Sequence, residues 1–284
     1  MAADAEGLIM MESGIAVLGS GSLGNSLVVR SPQACVLVDM GFSGAELSRR
    51  LEPLGLGVGD LDAILVTHTH TDHVGSSAIS LLRREAIPLF SHAENLDALG
   101  LKFGGLNTLV SRGLATSLSG KPFEFRDMLI ESFLLPHDAA GVNLGYRITM
   151  PGRAGPVPIT VATDLGHFSD RLIGWFTGSG IIMLESNHDP GLLARSGRPQ
   201  DLKNRISGPM GHLANSECAE ALSAIMEASG EGEIRHVVLA HLSRECNTAD
   251  LALDATRRAL DAAPFDGISV HTSEQYLVGP VITV

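Results

Sequence analysis

Thr67-His68-Thr69-His70-Thr71-Asp72-His73 sets three imidazoles and a carboxylate within six positions. Packed as core, each of these side chains would need its own polar partner. The cluster therefore reads as a metal site, not as packing or a solvated polar loop. On an extended or turning backbone His68 and His70 point the same way and can hold one cation. Asp72 and His73 lie one turn further and can face a second. Imidazole and carboxylate suit Zn²⁺, Mn²⁺ or Fe, and the absence of thiolates from the cluster argues against a closed structural zinc site.

The elements that must carry this cluster are strands. Runs of strand type occur at Ile15–Leu18, Ser26–Arg30, Ala34–Asp39, Ala63–Thr67, Met128–Leu135, Asn143–Thr149, Ile159–Thr163, Ile181–Glu185 and His236–Ala240, and the histidine cluster begins where the fourth ends. Ser43-Gly44-Ala45-Glu46 is a capping box that opens a helix ending near Gly55. Leu222, Ile225 and Met226 have helical spacing in a segment closing at Gly230, and Asn247 or Thr248 can cap a last helix running to about Ala263, before Pro264. The pattern predicts an α+β fold with sheets packed together and helices outside. It is expected to form a single domain over residues 1–284, with 1–13 a flexible extension. Gly19-Ser20-Gly21-Ser22-Leu23-Gly24 matches a dinucleotide fingerprint in letters, with Asp39 at the right distance. The fingerprint needs a helix to start there, and Ser26-Leu27-Val28-Val29-Arg30-Ser31-Pro32 cannot supply one. A turn between antiparallel strands is predicted instead.

Composition narrows the class. Hydrophobic residues make up 44% of the 284, enough for a sizeable core and too many for a disordered chain. No apolar run reaches the roughly 18 residues that span a bilayer, and the first eleven residues contain no Lys or Arg, so no secretory signal is expected. Three cysteines, Cys35, Cys218 and Cys246, without CxxC spacing, fit a reducing cytoplasm. A net charge of −12 repels polyanions at long range, so any nucleic-acid function must use a local positive site. With 4% aromatic residues an extended base-stacking surface is not expected.

His68-x-His70-x-Asp72-His73 resembles the HxHxDH motif of the metallo-β-lactamase-fold hydrolases. Further matches follow in family order: Asp39 in Leu37-Val38-Asp39-Met40-Gly41, His137 in Leu134-Leu135-Pro136-His137-Asp138, Asp164 in Ala162-Thr163-Asp164-Leu165-Gly166, and His241 after Leu239-Ala240. The likeness runs from about Ile15 to His271. It implies a metallo-β-lactamase-like αββα four-layer sandwich with two divalent metal ions at one sheet edge. By position His68, His70 and His137 would ligate one metal and Asp72, His73 and His241 the other. Asp164 would bridge them, and Asp39 would orient the histidine motif through hydrogen bonds. Leu184-Glu185-Ser186-Asn187-His188-Asp189, Gly211-His212-Leu213-Ala214-Asn215 and His241-Leu242-Ser243-Arg244-Glu245-Cys246-Asn247 are similar to the YycJ/WalJ-type branch, as is the opening glycine-serine turn. Members of that branch are linked to 5′-to-3′ exonuclease action on DNA. Met210 and Ala214 depart from it, where a basic residue and a serine are usual.

Two Zn²⁺ with five neutral histidines and two aspartates would leave a local charge of about +2 in an acidic protein. Water held there ionises near pH 7 and supplies the nucleophile, while the ions stabilise the leaving oxygen. The expected reaction is hydrolysis of a phosphodiester, with Asp164 and Asp72 catalytic through the metals. His188 and His212 are candidates for binding phosphate or protonating the leaving oxygen, a supporting hydrogen-bond role being the alternative for either. Arg195, Arg198, Lys203 and Arg205 form a basic stretch opposed only by Asp201, and with Arg244 and Asn247 they are the candidate nucleic-acid contacts. A thioesterase or lactonase would keep the same metal ligands, and a non-catalytic metal-binding protein should have lost some. His70 where flavin-linked diiron relatives have Glu, Asp164 where thiolate-ligand β-lactamases have Cys, and the missing His-Glu-Ala-Thr motif of tRNA 3′-processing enzymes argue against those branches.

Overall fold

The computed structural model describes residues 12–230, 232–261 and 267–284. The first sheet is built by β1 (Gly14–Gly19), β2 (Ser26–Arg30), β3 (Cys35–Val38), β4 (Ala63–Leu65), β5 (Leu89–His92) and β6 (Ala115–Leu118). The second contains β7 (Phe123–Phe125), β8 (Met128–Leu135), β9 (Asn143–Gly152), β10 (Gly155–Ala162), β11 (Ile181–Glu185), β12 (His236–Ala240) and β13 (Ser269–Thr272). A last strand, β14 (Val281–Thr283), returns to pair antiparallel with β1. Among the described residues each sheet thus has seven strands.

Alternating side chains sort these strands between two cores. Ile15 and Val17 point inward, where they meet Ile130, Tyr146, Ile159 and Met183 of the second sheet. Ala16 and Leu18 point the other way, into a layer formed by α1 (Gly44–Leu51), α2 (Ser76–Glu85), α3 (Ala93–Lys102) and α4 (Leu106–Ser111). The outer face of the second sheet is covered by α5 (Asp170–Phe176), α8 (Asn215–Ala228) and α9 (Ala249–Asp261). Short helices α6 (Pro190–Arg195) and α7 (Gln200–Ile206) lie on the excursion between β11 and α8. This is the expected αββα sandwich. Cys35, Cys218 and Cys246 are free and buried. No helix among the described residues is long and apolar enough to cross a membrane.

Local chemistry explains the element ends. Ser43 Oγ accepts from Glu46 N–H (3.2 Å) at the start of α1, and Gly55 closes the following 3-10 turn with φ 67°. Thr248, not Asn247, caps α9, its Oγ1 accepting from Leu251 N–H at 3.2 Å. The expected end of that helix at Ala263, and the extension as far as residue 11, lie outside the described residues. Glu12 and Ser13 are described, and Ser13 O already accepts from Val284 N–H. The glycine-rich segment is the predicted turn between antiparallel β1 and β2, without a helix. Gly21 takes φ 141°, and Asn25 Oδ1 accepts from Gly21 N–H (2.8 Å) and Ser20 Oγ (2.9 Å) to hold it.

Candidate metal centre

β3 and β4 run parallel, as do β10, β11 and β12, so their carboxyl ends gather at one edge of the sandwich. The chain must leave that edge sharply. Three non-glycine residues there adopt left-handed backbone, Asp39 (φ 62°), Asp164 (φ 59°) and His241 (φ 55°), a conformation that costs an L-residue about 1–2 kcal/mol. Strain at these strand ends aims Asp164 and His241 into one space and Asp39 at the residues that border it.

Two triads form in that space. His68, His70 and His137 present ligand atoms within 4.8 Å of one another, and so do Asp72, His73 and His241. Four of the five imidazoles are fixed from behind. His68 Nδ1 donates to Thr67 Oγ1 (3.0 Å), which donates to Asp39 Oδ2 (2.8 Å). The same Asp39 oxygen accepts from His73 Nδ1 at 2.7 Å, and Gly211 O accepts from His137 Nδ1 at 3.0 Å. His241 Nδ1 donates to Glu185 Oε1 at 2.8 Å. Second-sphere bonds of this kind set the tautomer and leave Nε2 of His68, His73, His137 and His241 as a lone pair facing the cluster. His70 contributes Nδ1, which stands 3.0 Å from His68 Nε2 and 3.3 Å from His137 Nε2.

Electrostatics gives the two triads different needs. Burial holds His68, His70 and His137 below the ordinary histidine range, which favours three neutral rings with their nitrogens crowded together. A divalent cation would be held by such a set of neutral nitrogens. In the other triad burial also opposes charge, but Asp164, Asp72 and Glu185 outweigh it and lift His241 to about 10. Asp164 and Asp39 lift His73 well above its usual range in the same way. Here a positive charge is already called for, by proton or by metal.

Asp164 lies between the triads, its Oδ2 3.0 Å from His73 Nε2 and its Oδ1 3.9 Å from His137 Nε2. The 3.0 Å approach is not aligned as a hydrogen bond, so buried Asp164 Oδ2 has no partner, nor has buried His241 Nε2. Orphaned atoms of this kind are rare in native interiors. Here they are a carboxylate oxygen and an imidazole nitrogen aimed into a cluster of metal-ligand type, and the donor set fits divalent ions.

Residues 35–242 match the family described as the Beta-lactamase superfamily domain. The exodeoxyribonuclease YycJ of Bacillus anthracis is 31% identical over 91% of this chain and 94% of its own length. The exodeoxyribonuclease WalJ of Streptococcus pneumoniae is 32% identical over 83% of this chain and 84% of its own length. The chain belongs to the metallo-beta-lactamase superfamily. Among solved structures, the metallo-beta-lactamase fold protein YhfI of Bacillus subtilis superposes with a TM-score of 0.65 at 16% identity, covering 94% of this chain and 99% of that one. Yeast PDE1 gives 0.66 at 12% identity over 94% and 99%. Both likenesses show the shared fold. The protein is therefore a hydrolase of this superfamily and a binder of divalent metal.

Its cleft, of about 230 Å³, opens on the metal-ligand cluster. His212, Arg198 and Arg205 line it. Arg205 is ion-paired with Asp138, and Arg198 Nε donates to Glu245 Oε2 at 3.0 Å. Other candidates are placed elsewhere. Lys203 Nζ donates to Ala194 O at 2.7 Å, and neither Lys203 nor exposed Arg195 is among the cleft residues. Asn247 is buried, with its amide bonded to Ser186 O, Asn187 O and Asn215 Oδ1. It therefore ties the loops together and has no donor to spare. His188 is also buried and is not among the cleft residues, and its Nδ1 has no partner. Arg244 is exposed beside Tyr276.

Glu185 is the residue that the motif reading passed over. It is fully buried, its Oε1 accepting from both His241 Nδ1 and His212 Nδ1 at 2.8 Å. Its Oε2 accepts from Leu165 N–H (2.9 Å) and Leu213 N–H (3.1 Å). Burial works against this carboxylate's charge, but His212 and His241 hold it down at about 2. The available signal was a carboxylate closing the apolar run Ile181-Ile182-Met183-Leu184.

Chelation is expected to lower the melting temperature, with Zn²⁺ or Mn²⁺ restoring it. An ion at a hundredfold excess over its Kd contributes about 2.7 kcal/mol. Differential scanning fluorimetry reads this directly, and a melt insensitive to chelator and metal alike would count against the site.

Proposed function

We propose that the protein is a dinuclear-metal phosphodiesterase that acts on nucleic acid, as a 5′-to-3′ exonuclease on DNA. The observation that carries this reading is the cleft, where two arginines and a carboxylate-backed histidine face the ligand cluster. The printed names of the relatives at 31% and 32% identity support the same substrate. His68, His70 and His137 would hold one ion, Asp72, His73 and His241 the other, with Asp164 shared. Bound there, Zn²⁺ or Mn²⁺ would supply a nucleophile from water near pH 7 and draw charge from the phosphate.

The chain's own groups do the rest. Burial disfavours charge on His212, but Glu185 more than compensates and raises its pKa. This favours the imidazolium form, with Nδ1 committed to Glu185 and Nε2 left for the substrate. That nitrogen can donate to a phosphoryl oxygen or protonate the departing alkoxide. Arg198 and Arg205 would exchange their carboxylate partners for phosphates, a trade that Arg makes readily because its planar fork fits either. This local pair answers the problem of a chain with net charge −12.

The test is the purified protein, loaded with Mn²⁺ or Zn²⁺, on DNA and RNA labelled at either end. Loss of 5′ nucleotides from DNA is expected, with about two metal equivalents by elemental analysis. Hydrolysis of thioesters or lactones in place of any nucleic acid would overturn the substrate. Changing Arg198 and Arg205 together to Ala should reduce the salt slope of duplex binding by up to about 0.9 per contact. Hydrolysis of bis(p-nitrophenyl) phosphate, which needs only the metals, should stay nearly unchanged.

A further inference from the structure

Tyr276 is 56% exposed. Among the described residues it is the only phenylalanine, tyrosine or tryptophan in the exposed class. Two connections tie it to the cleft. Its neighbour Gln275 is buried, with Oε1 accepting from Leu23 N–H (2.8 Å) and Nε2 donating to Gly24 O (2.9 Å), so the segment is pinned to the turn that carries Ser22. On the other side the Arg244 guanidinium stands 5.4 Å from the Tyr276 ring centroid, and Arg244 directly follows Ser243. Ser22 and Ser243 both line the cleft. Ring and guanidinium therefore meet beside two segments that line it. Arg198 and Arg205 are paired with carboxylates, whereas the contact found for Arg244 among the described residues is this aromatic face.

We propose that Tyr276, backed by Arg244, is the platform on which one nucleobase of the substrate stacks while the neighbouring phosphodiester lies at the ligand cluster. The inference rests on the nuclease reading and narrows it: the enzyme grips a base as well as a phosphate. An exposed aromatic ring with a cation beside it is a combination that holds single-stranded nucleic acid without reading sequence. One exposed ring can hold one base, which suits a chain with 4% aromatic residues better than an extended platform does.

The experiment compares KM, for the metal-loaded protein, on a labelled oligonucleotide and on versions abasic at each of the two terminal positions. Stacking of one base predicts a KM about 5- to 100-fold higher for one abasic version, with kcat little changed. Tyr276→Phe should keep that preference. Tyr276→Leu and Tyr276→Ala should abolish it while hydrolysing the abasic strand as wild type does, an outcome that misfolding would not produce. An undiminished preference in Tyr276→Ala, or no preference in wild type that degrades DNA, overturns the platform and leaves the nuclease reading standing. Failure of wild type to degrade any of the oligonucleotides overturns both.

Discussion

Asp164→Asn is expected to lose at least one metal ion and more than about 100-fold in hydrolysis of labelled DNA while still melting cooperatively. The substitution isolates charge from shape. Asp164 sits at φ 59°, and asparagine tolerates that left-handed backbone as well as aspartate does. What changes is the oxygen that now has no partner in the buried cluster. A neutral amide would offer one weak ligand where the carboxylate offers two charged ones. Supporting residues around metal sites typically cost 10- to 100-fold when changed, and a group placed between both triads should exceed that range. Elemental analysis and end-label release measure the two losses separately. A variant with full metal content and full activity would show that Asp164 is not a shared ligand.

Glu185→Gln should reduce metal retention or activity by about 10- to 100-fold, although Glu185 belongs to neither triad. Four donors converge on its two oxygens, two from imidazoles and two from backbone amides. A glutamine has one oxygen to offer and must turn its own NH₂ toward donors, leaving buried groups unsatisfied at about 1–3 kcal/mol each. Both His241 and His212 would lose their orientation together. The expected signature is therefore a lower melting temperature combined with weaker metal binding, measured by fluorimetry and by competition with a chromogenic chelator. A variant that binds metal and turns over like wild type would remove Glu185 from the machinery.

The ligand cluster was legible because its chemistry is local: three imidazoles and a carboxylate in six positions have few other uses. His137, Asp164 and His241 became legible through what surrounds them, each being a polar residue just past an apolar strand. Glu185 broke that pattern by ending a strand instead of following it, and its meaning lies in two partners 27 and 56 residues away. The basic stretch shows a different limit. Sequence places Arg195, Arg198, Lys203 and Arg205 side by side, but α7 turns between them. Leu202 and Arg205, three apart, share the cleft face, and Lys203 reaches back to Ala194 O. Strand pairing was least accessible. Nothing local says that β14 lies beside β1, or that short β6 and β13 close the sheets.

The proposed ligands are divided between the two sheets. The segment from His68 to His73 follows a strand of the first sheet, and His137, Asp164 and His241 follow strands of the second. No ion can therefore be fully coordinated until both sheets are formed and docked, and contacts spanning residues 68 to 241 are among the slowest to close in a folding chain. Metal cannot nucleate this fold in the way it nucleates a small zinc finger. Bound by these residues, it would be a late clasp across one edge, tying the opening of either sheet to the opening of the other.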